Sequence, residues 1–133
     1  MQYLLDTNIC IYIIKEKPVQ VLSKFRQMPL NAMSISAITL AELEFGVAKS
    51  SLPEQNRQAL RKFLLPILVL PFDDAAAVQY GIVRADLAKK GKTIGPLDML
   101  LAAHALSLNI TMVTNNEEEF RRVAGLKLEN WVA

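Results

Sequence analysis

The sequence predicts an α/β fold in which a mostly parallel sheet carries helices on both faces. Short apolar runs of strand length alternate with longer segments of helical periodicity along the chain. Several of these runs end at residues that commonly begin a helix, which indicates that a strand passes directly into the next helix. Repeated alternation of this kind is typical of helices packed on both faces of a parallel sheet.

The first half of the chain contains two predicted strands, each followed by a pair of helices. Asp6 and Ser36 are caps that follow the strands, and Pro18 and Pro53 favour helix starts because proline fits the first helical turn. The predicted elements, in order, are a strand at Leu4-Leu5, helices over 9–16 and 18–28, a strand over 33–36, and helices over 37–50 and 53–65.

The second half continues the pattern. The continuous apolar run at 67–70 predicts a strand buried on both faces. Gly91 ends a long helix, and Gly95-Pro96 opens the next one. The predicted elements are a strand over 67–70, a helix from Asp73 or Asp74 to about Lys90, a helix over 97–108, a strand over 110–113, a short helix over 117–122, and an edge strand or packed tail over 126–131.

Composition limits the class of protein. The chain has 133 residues, of which 52% are hydrophobic and 21% charged, so we expect residues 1–133 to form a single domain with a real core. Its formal net charge of +2 gives only a mild preference for polyanions. The single cysteine, Cys10, excludes an intrachain disulfide and is predicted to be a core residue. No apolar run approaches the roughly 18 residues that span a bilayer, and the first residues do not resemble a signal peptide, so we expect a cytoplasmic protein without a membrane partner.

Two carboxylates occupy unusual positions in the first half. Asp6 follows the first strand, where it could cap a helix or line a ligand site beyond the strand's carboxyl end. Helical spacing puts Glu42 on an apolar stripe with Ile38, Ala41 and Phe45, whereas Glu44 is predicted to face solvent. A carboxylate on a core-facing stripe needs a partner, so Glu42 is either in a salt bridge or part of a site.

Further acids follow in the second half. Asp98 lies in the first turn of helix 97–108, where the helix dipole favours an acid, and it also borders the apolar stripe that contains Leu101 and Ala105. The acidic run at 117–119 is usually a solvated helix start. Together, the acids fall at strand ends or first helical turns, positions that this topology gathers at one sheet edge. Clustered carboxylates repel one another and therefore favour a cation, and an all-oxygen ligand set suits Mg²⁺ or Mn²⁺.

Four short segments in order resemble the motifs of the PIN-domain nucleases, and within them the VapC-type toxins. The resemblance covers essentially the whole chain. The segments are Leu5-Asp6-Thr7-Asn8, Ser36 to Gly46 with its acid at Glu42, Ile94 to Ala102 with its acid at Asp98, and Val113-Thr114-Asn115-Asn116 followed by Glu119-Phe120.

The resemblance implies a three-layer α/β/α sandwich and a Mg²⁺- or Mn²⁺-dependent endoribonuclease. It implies a toxin that inhibits translation by cleaving RNA, with transfer RNA among the candidates, and that a cognate VapB-type antitoxin neutralises. A homodimer, a larger complex with the antitoxin and contact with operator DNA only through the antitoxin are further expectations.

The expected catalytic and metal-binding residues are Asp6, Glu42, Asp98 and Glu119. Candidates for polar support are Thr7, Asn8, Thr114 and Asn116. Many relatives carry an aspartate where Asn116 stands, so either Glu119 or Asn116 completes the site; Glu119 is the expected fourth acid, with contact through water as one form of its role.

Lysines and the single histidine have structural and functional interpretations. Lys89, Lys90 and Lys92 either form a solvated helix end or contact RNA phosphates, and we favour the RNA contact. His104 does not share a helix face with Asp98, so we expect a structural histidine. Tyr12, Phe25 and Phe45 are expected in the core.

Other functions compete with the toxin. A PIN-like RNA processing or decay nuclease would have no antitoxin, and a non-catalytic RNA-binding module would have no reason to keep costly carboxylates. A phosphoacceptor signalling domain fits poorly, because such domains pair acids after the first strand and Thr7-Asn8 follows Asp6 here.

Overall fold

The computed structural model describes residues 2–132, which form a parallel sheet of five strands between two layers of helices. This α/β/α architecture confirms the predicted fold class. The strands are β1 (Tyr3–Leu5), β2 (Met33–Ser36), β3 (Leu68–Leu70), β4 (Thr111–Val113) and β5 (Leu128–Glu129). The helices are α1 (Thr7–Lys15), α2 (Val19–Gln27), α3 (Ala37–Lys49), α4 (Pro53–Leu64), α5 (Asp74–Lys90), α6 (Pro96–Leu108) and α7 (Glu117–Phe120).

The strand order, β3-β2-β1-β4-β5, contains one reversal. The chain moves outward from β1 to β3 and then returns to the other side of β1 as β4. Leu5 pairs with Val113, so the carboxyl ends of β1 and β4 lie side by side at the reversal. In open α/β sheets this is where the loops separate and a ligand crevice forms. The topology therefore singles out the residues that follow Leu5 and Val113.

The central strands bury both of their faces. Leu5 and Val113 pack into the core beneath α1–α4, whereas Leu4 and Met112 pack into the core beneath α5 and α6. All four side chains have no exposed surface. Because side chains alternate along a strand, one short apolar run supplies both cores and fixes the strand's register.

The predicted helix caps are confirmed. Asp6 Oδ1 accepts a hydrogen bond from the backbone N–H of Ile9 at 2.9 Å, so α1 begins at Thr7 and not at residue 9. Ser36 caps α3 in the same way, and Asp73 is the residue that caps α5. Gly91 ends α5 with φ of 65°, in the left-handed region that glycine adopts without strain.

The predicted burial of β3 on both faces is wrong. Leu68 and Val69 are 40% and 41% exposed, because β3 is the last strand on its side of the sheet. A continuous apolar run does not distinguish a central strand from an edge strand. The predicted edge strand near the end of the chain is confirmed as β5, which occupies the opposite edge.

The predicted core position of Phe45 is also wrong. Its ring is 65% exposed, and the Lys49 ammonium lies 5.1 Å from the ring centroid. Tyr12 and Phe25 do pack against the core, as predicted. Cys10 is fully buried, also as predicted. Among the helices of residues 2–132, none is both long and apolar enough to cross a membrane.

Replacing Asp73 by alanine should destabilise the chain by about 1 kcal/mol, a typical effect of losing an N-cap. Asp73 Oδ1 accepts the Ala76 N–H at 3.1 Å, and α5 packs extensively on α6. Urea unfolding measures the change. Asp74→Ala is the matched control, because Asp74 lies in the first turn without capping it, and we expect a smaller loss. Equal losses in both variants would show that the Asp73 cap adds nothing beyond charge.

Candidate active site

Asp6 lies at the carboxyl end of β1, is 5% exposed, and uses both carboxylate oxygens. Oδ1 accepts the Ile9 N–H, and Oδ2 accepts a hydrogen bond of 2.5 Å from the Thr114 hydroxyl. Thr114 follows β4 directly, so this bond joins the ends of the two neighbouring strands. Burial raises the pKa of Asp6, and these two hydrogen bonds oppose the rise. Asp6 therefore caps α1 and also lies at the strand reversal.

Glu42 is half-buried on α3, and its Oε1 accepts a 2.7 Å hydrogen bond from the Thr7 hydroxyl. The predicted stripe around Glu42 is wrong: Ala41 and Phe45 are exposed, and the buried stripe contains Leu43 and Val47 instead. Helix α3 is apolar over much of its circumference, so hydrophobicity alone does not identify its inner face. Glu42 lies at the rim of the core and reaches the first turn of α1.

Asp98 lies in the first turn of α6, which Pro96 opens. The predicted stripe is confirmed here, since Leu101 and Ala105 are buried. The pKa of Asp98 is raised to about 6, first by burial and then by the negative charges of Glu119, Asp6 and Glu42. The fold therefore brings Asp98 within electrostatic reach of each other predicted acid.

Glu119 is held by neutral donors. Its Oε1 accepts the Gly95 N–H at 2.8 Å, and its Oε2 accepts the Asn116 side-chain amide at 2.6 Å. These bonds lower the pKa of Glu119, the Gly95 N–H most strongly, and burial opposes them. A hydrogen bond between the two carboxyl groups also lowers the pKa of Glu119 and raises that of Asp98. The Asn116 and Glu119 side chains are therefore in direct contact at this position.

The neighbouring acids of α7 point elsewhere. Glu117 accepts a hydrogen bond of 3.1 Å from the Asn130 amide and pairs with Arg121 at 3.5 Å. Glu118 is exposed. Of the acidic run, Glu119 is the residue whose carboxylate contacts the start of α6.

The ligand chemistry of this edge fits a divalent cation. Carboxylate, hydroxyl and amide oxygens are hard ligands of the kind that Mg²⁺ and Mn²⁺ prefer. A Cβ at Gly95 would lie 3.5 Å from Asp98 Oδ2 and 3.8 Å from Glu119 Oε1, so glycine keeps the space beside these two carboxylates open. Within residues 2–132, no group of three or more Asp, Glu, His or Cys side chains is arranged so that it could hold a metal ion as it stands. Like charges repel, and a bound cation is what would draw such carboxylates together.

The predicted supporting residues differ in their contacts. Thr7 donates to Glu42 and Thr114 donates to Asp6, so both hydroxyls orient predicted acids. The Thr114 hydroxyl also accepts the Asn116 N–H at 2.9 Å. The Asn8 side chain is exposed, and only its backbone N–H contacts Asp6.

The predicted RNA-contacting lysines lie at the end of α5 and just beyond it. Lys89, Lys90 and Lys92 are exposed. Lys90 pairs with Asp86 of its own helix at 2.9 Å. The three ammonium groups are therefore on the surface, and only Lys90 is committed to a neighbouring acid in the described contacts.

Glu44 and His104 are where the sequence predicted them. Glu44 is exposed and pairs with Arg57 at 2.9 Å, which confirms that it faces outward. His104 is 1% exposed and packs edge-on against Phe72 at 5.4 Å between centroids, which confirms a structural histidine. Burial lowers the pKa of His104, so its neutral form is favoured in the core.

Sequence reasoning missed two supporting residues. Gly95 was interpreted only as a helix opener, although its N–H binds Glu119. Thr39 was not singled out; it lies three residues before Glu42 on the buried stripe of α3, and its hydroxyl lies 3.3 Å from that of Thr7. A polar residue among apolar ones, one helical turn from a candidate acid, was the available signal.

Comparison with known proteins identifies a family and several similar proteins. The family model of the PIN domain matches residues 3–126. The chain is 45% identical over 131 residues to the tRNA(fMet)-specific endonuclease VapC of Shigella flexneri, covering 98% of each chain. It is 44% identical over 132 residues to Ribonuclease VapC2 of Haemophilus influenzae, covering 99% of each.

Solved structures resemble it equally well. VapBC2 from Rickettsia felis, bound to a DNA fragment from its promoter, includes a chain with a TM-score of 0.93 at 42% identity, covering 98% of this chain and 99% of that one. DNA-bound VapBC from Salmonella typhimurium gives a TM-score of 0.92 at 42% identity, covering 98% of each. Fold, motif order and near full-length similarity agree, and the chain therefore belongs to the PIN-domain family, within its VapC group of ribonucleases.

Proposed function

We propose that this chain is the toxin of a VapBC-type toxin–antitoxin pair, an endoribonuclease that inhibits translation by cleaving RNA. One observation carries the proposal: Asp6 lies where β1 and β4 end side by side, and the negative charges of Asp6, Glu42 and Glu119, from three other elements, all act on Asp98. Near full-length similarity to ribonucleases supports it.

Asp6, Glu42 and Asp98 are the proposed metal ligands. Glu119 completes the site, and because its two oxygens already accept hydrogen bonds from Gly95 and Asn116, contact with the metal through water suits it best. The oxygen ligand set favours Mg²⁺ or Mn²⁺. Such an ion, when bound, neutralises phosphate charge and lowers the pKa of water.

The chain's own residues position the reaction. Thr114 and Thr7 fix the carboxylates of Asp6 and Glu42, and so restrict where an ion and a phosphate can sit. Lys89 and Lys92 are exposed and have no described acidic partner, which suits contact with RNA phosphates; Lys90 would leave Asp86 to join them.

A VapB-type antitoxin is the proposed partner, in the cytoplasm. The cluster of carboxylates is an anionic surface onto which an arginine of the antitoxin can fork. Contact with operator DNA would come through the antitoxin, in keeping with the relatives solved as VapBC on promoter DNA. A homodimer is the proposed assembly. Several large apolar side chains, Phe45, Val78 and Ile82 among them, are more than half exposed and are therefore available for burial in a subunit interface.

Transfer RNA is the proposed substrate class, because the Shigella relative is named a tRNA(fMet)-specific endonuclease. The alternative of an RNA decay nuclease lacking an antitoxin is disfavoured by the VapBC complexes among the relatives. A non-catalytic module is disfavoured by the raised pKa of Asp98, since a binding domain gains nothing from clustering acids.

We propose that residues 1–133 act as one domain.

The purified chain should cleave RNA only when a divalent ion is present, because carboxylates by themselves provide no electrophile. Cleavage of total bacterial RNA is followed with Mg²⁺ or Mn²⁺ and after exhaustive chelation. Growth arrest on induction should be relieved by co-expressing the proposed VapB-type antitoxin. Cleavage that survives chelation would refute the metal mechanism.

Asp98→Asn should lower the rate of RNA cleavage by about a hundredfold or more. Even residues that only hydrogen-bond to a metal ligand typically change metal affinity or activity 10- to 100-fold when mutated. Folding raises the pKa of Asp98 from 3.8 to about 6, so its charge opposes folding above pH 6. The variant should therefore melt higher than the wild type at pH 7.5 without metal, and this gain should fade as the pH falls from 6 toward 4.

Glu44→Gln is the control for Asp98→Asn, because Glu44 faces outward, and it should keep wild-type cleavage. Thermal melts across pH and cleavage rates measure both variants. An Asp98→Asn variant that still cleaves RNA at the wild-type rate would exclude Asp98 as a ligand.

Glu119→Gln should lower cleavage roughly tenfold to a hundredfold and weaken metal binding, an effect typical of groups that support a metal site. Glu117→Gln and Glu118→Gln are matched controls on the same short helix, and they should have little effect because neither contacts Gly95. Cleavage rates and metal titrations measure all three. Equally small effects would show that the acidic run is only a solvated helix start.

A further inference from the structure

Thr39 is a polar side chain in an apolar setting. It is completely buried on the inner stripe of α3, in line with Leu43 and Val47. Valine has nearly the same shape and would fill this position without burying a hydroxyl. A buried hydroxyl is unfavourable unless it forms a hydrogen bond, so the partner of Thr39 is informative.

The partner of Thr39 is Thr7, whose hydroxyl also contacts the Glu42 carboxylate. The Thr39 and Thr7 hydroxyl oxygens are 3.3 Å apart, and the Thr7 oxygen lies 2.7 Å from Glu42 Oε1. A hydroxyl has one proton to donate. The short, charge-assisted bond to Glu42 takes the proton of Thr7, so Thr39 must be the donor to Thr7. The order of donation is therefore Thr39 to Thr7 to Glu42.

Glu42 depends on this chain of bonds for its position. Across residues 2–132, the described hydrogen bonds and ion pairs of Glu42 comprise the one from Thr7. A glutamate has several rotatable bonds and otherwise explores many conformations. The donor from α1 fixes one of them, in which the Glu42 charge acts on both Asp6 and Asp98.

We propose that Thr39 is a positioning residue for Glu42 that acts through the Thr7 hydroxyl. Its buried place on α3 fixes the hydroxyl, and the hydroxyl orients the proton of Thr7 toward the carboxylate. Metal binding by the Glu42 carboxylate rests on the proposed function. The order of hydrogen-bond donation from Thr39 to Thr7 to Glu42 does not depend on it.

The test is Mn²⁺ binding to purified Thr39→Val, followed by electron paramagnetic resonance with no RNA present. The Mn²⁺ dissociation constant should rise roughly threefold to tenfold, the range expected for one lost hydrogen bond. Thr39→Ser keeps the hydroxyl and should bind within about twofold of wild type by the same reasoning. The melting temperature of Thr39→Val should stay the same or rise, because valine packs there without a polar group. Thr111→Val, at the far end of β4, is the matched control and should bind Mn²⁺ like wild type.

A double-mutant cycle tests the relay itself. If Thr39 acts through Thr7, then adding Thr39→Val to Thr7→Val should weaken Mn²⁺ binding no further. Additive losses, or a Thr39→Val variant with wild-type Mn²⁺ affinity, would overturn the proposal. So would a loss in Thr39→Val that serine does not restore.

The assay separates this inference from the proposed function. A wild-type chain that binds Mn²⁺ but cleaves no RNA would contradict the ribonuclease while leaving the Thr39 comparison intact. A wild-type chain that cleaves RNA while Thr39→Val binds Mn²⁺ normally would contradict the relay alone. With cleavage as a second readout, Thr39→Val should lower kcat and leave the KM for RNA unchanged, because Thr39 is buried away from the substrate.

Discussion

The hydrogen bond from Thr114 to Asp6 is the interaction on which the rest of the site depends. It joins the carboxyl ends of β1 and β4, the two strands between which the strand order reverses. The other oxygen of Asp6, Oδ1, caps α1. The Thr114 hydroxyl also accepts a hydrogen bond from the backbone N–H of Asn116. One buried carboxylate thus sets the direction of α1 and the start of the segment that carries Glu119. Disturbing Asp6 would move both, so its structural role and its proposed role as a metal ligand are inseparable.

Neutral donors hold the acids in place. Thr114 donates to Asp6, Thr7 to Glu42, and the Gly95 N–H and the Asn116 amide to Glu119. Among the ion pairs of residues 2–132, none includes these three acids or Asp98. A lysine or arginine in their place would orient a carboxylate equally well but would neutralise it. Arg122 is a cation whose charge acts on one of them, helping to lower the pKa of Glu119 without forming an ion pair with it. Orientation by neutral donors leaves the negative charge of the carboxylates available to a cation.

The same arrangement destabilises the folded chain when no cation is present. Burial and the neighbouring negative charges raise the pKa of Asp98 to about 6, which is a free-energy penalty on its ionised form at neutral pH. The two cores, which bury both faces of β1 and β4, offset that penalty. Active sites commonly combine such local strain with a rigid scaffold, and here the scaffold is the central pair of strands.

The sequence by itself determined the fold class, the order of the elements, the caps at Asp6, Ser36 and Asp73, and the position of Asp98 in the first turn of α6. It did so because strand and helix periodicity, capping and motif order are local properties that can be recognised over a few residues. Only the tertiary structure decided which face of α3 is buried, that β3 is an edge strand, and that Phe45 is exposed, since each depends on what packs against the element. It also decided the partners of each acid. Thr39 and Gly95 reach Glu42 and Glu119 by contacts between separate elements: Thr39 acts through Thr7 on α1, and Gly95 lies 24 positions from Glu119. The local pattern of a sequence does not contain those contacts, because folding alone brings such distant positions within hydrogen-bonding distance.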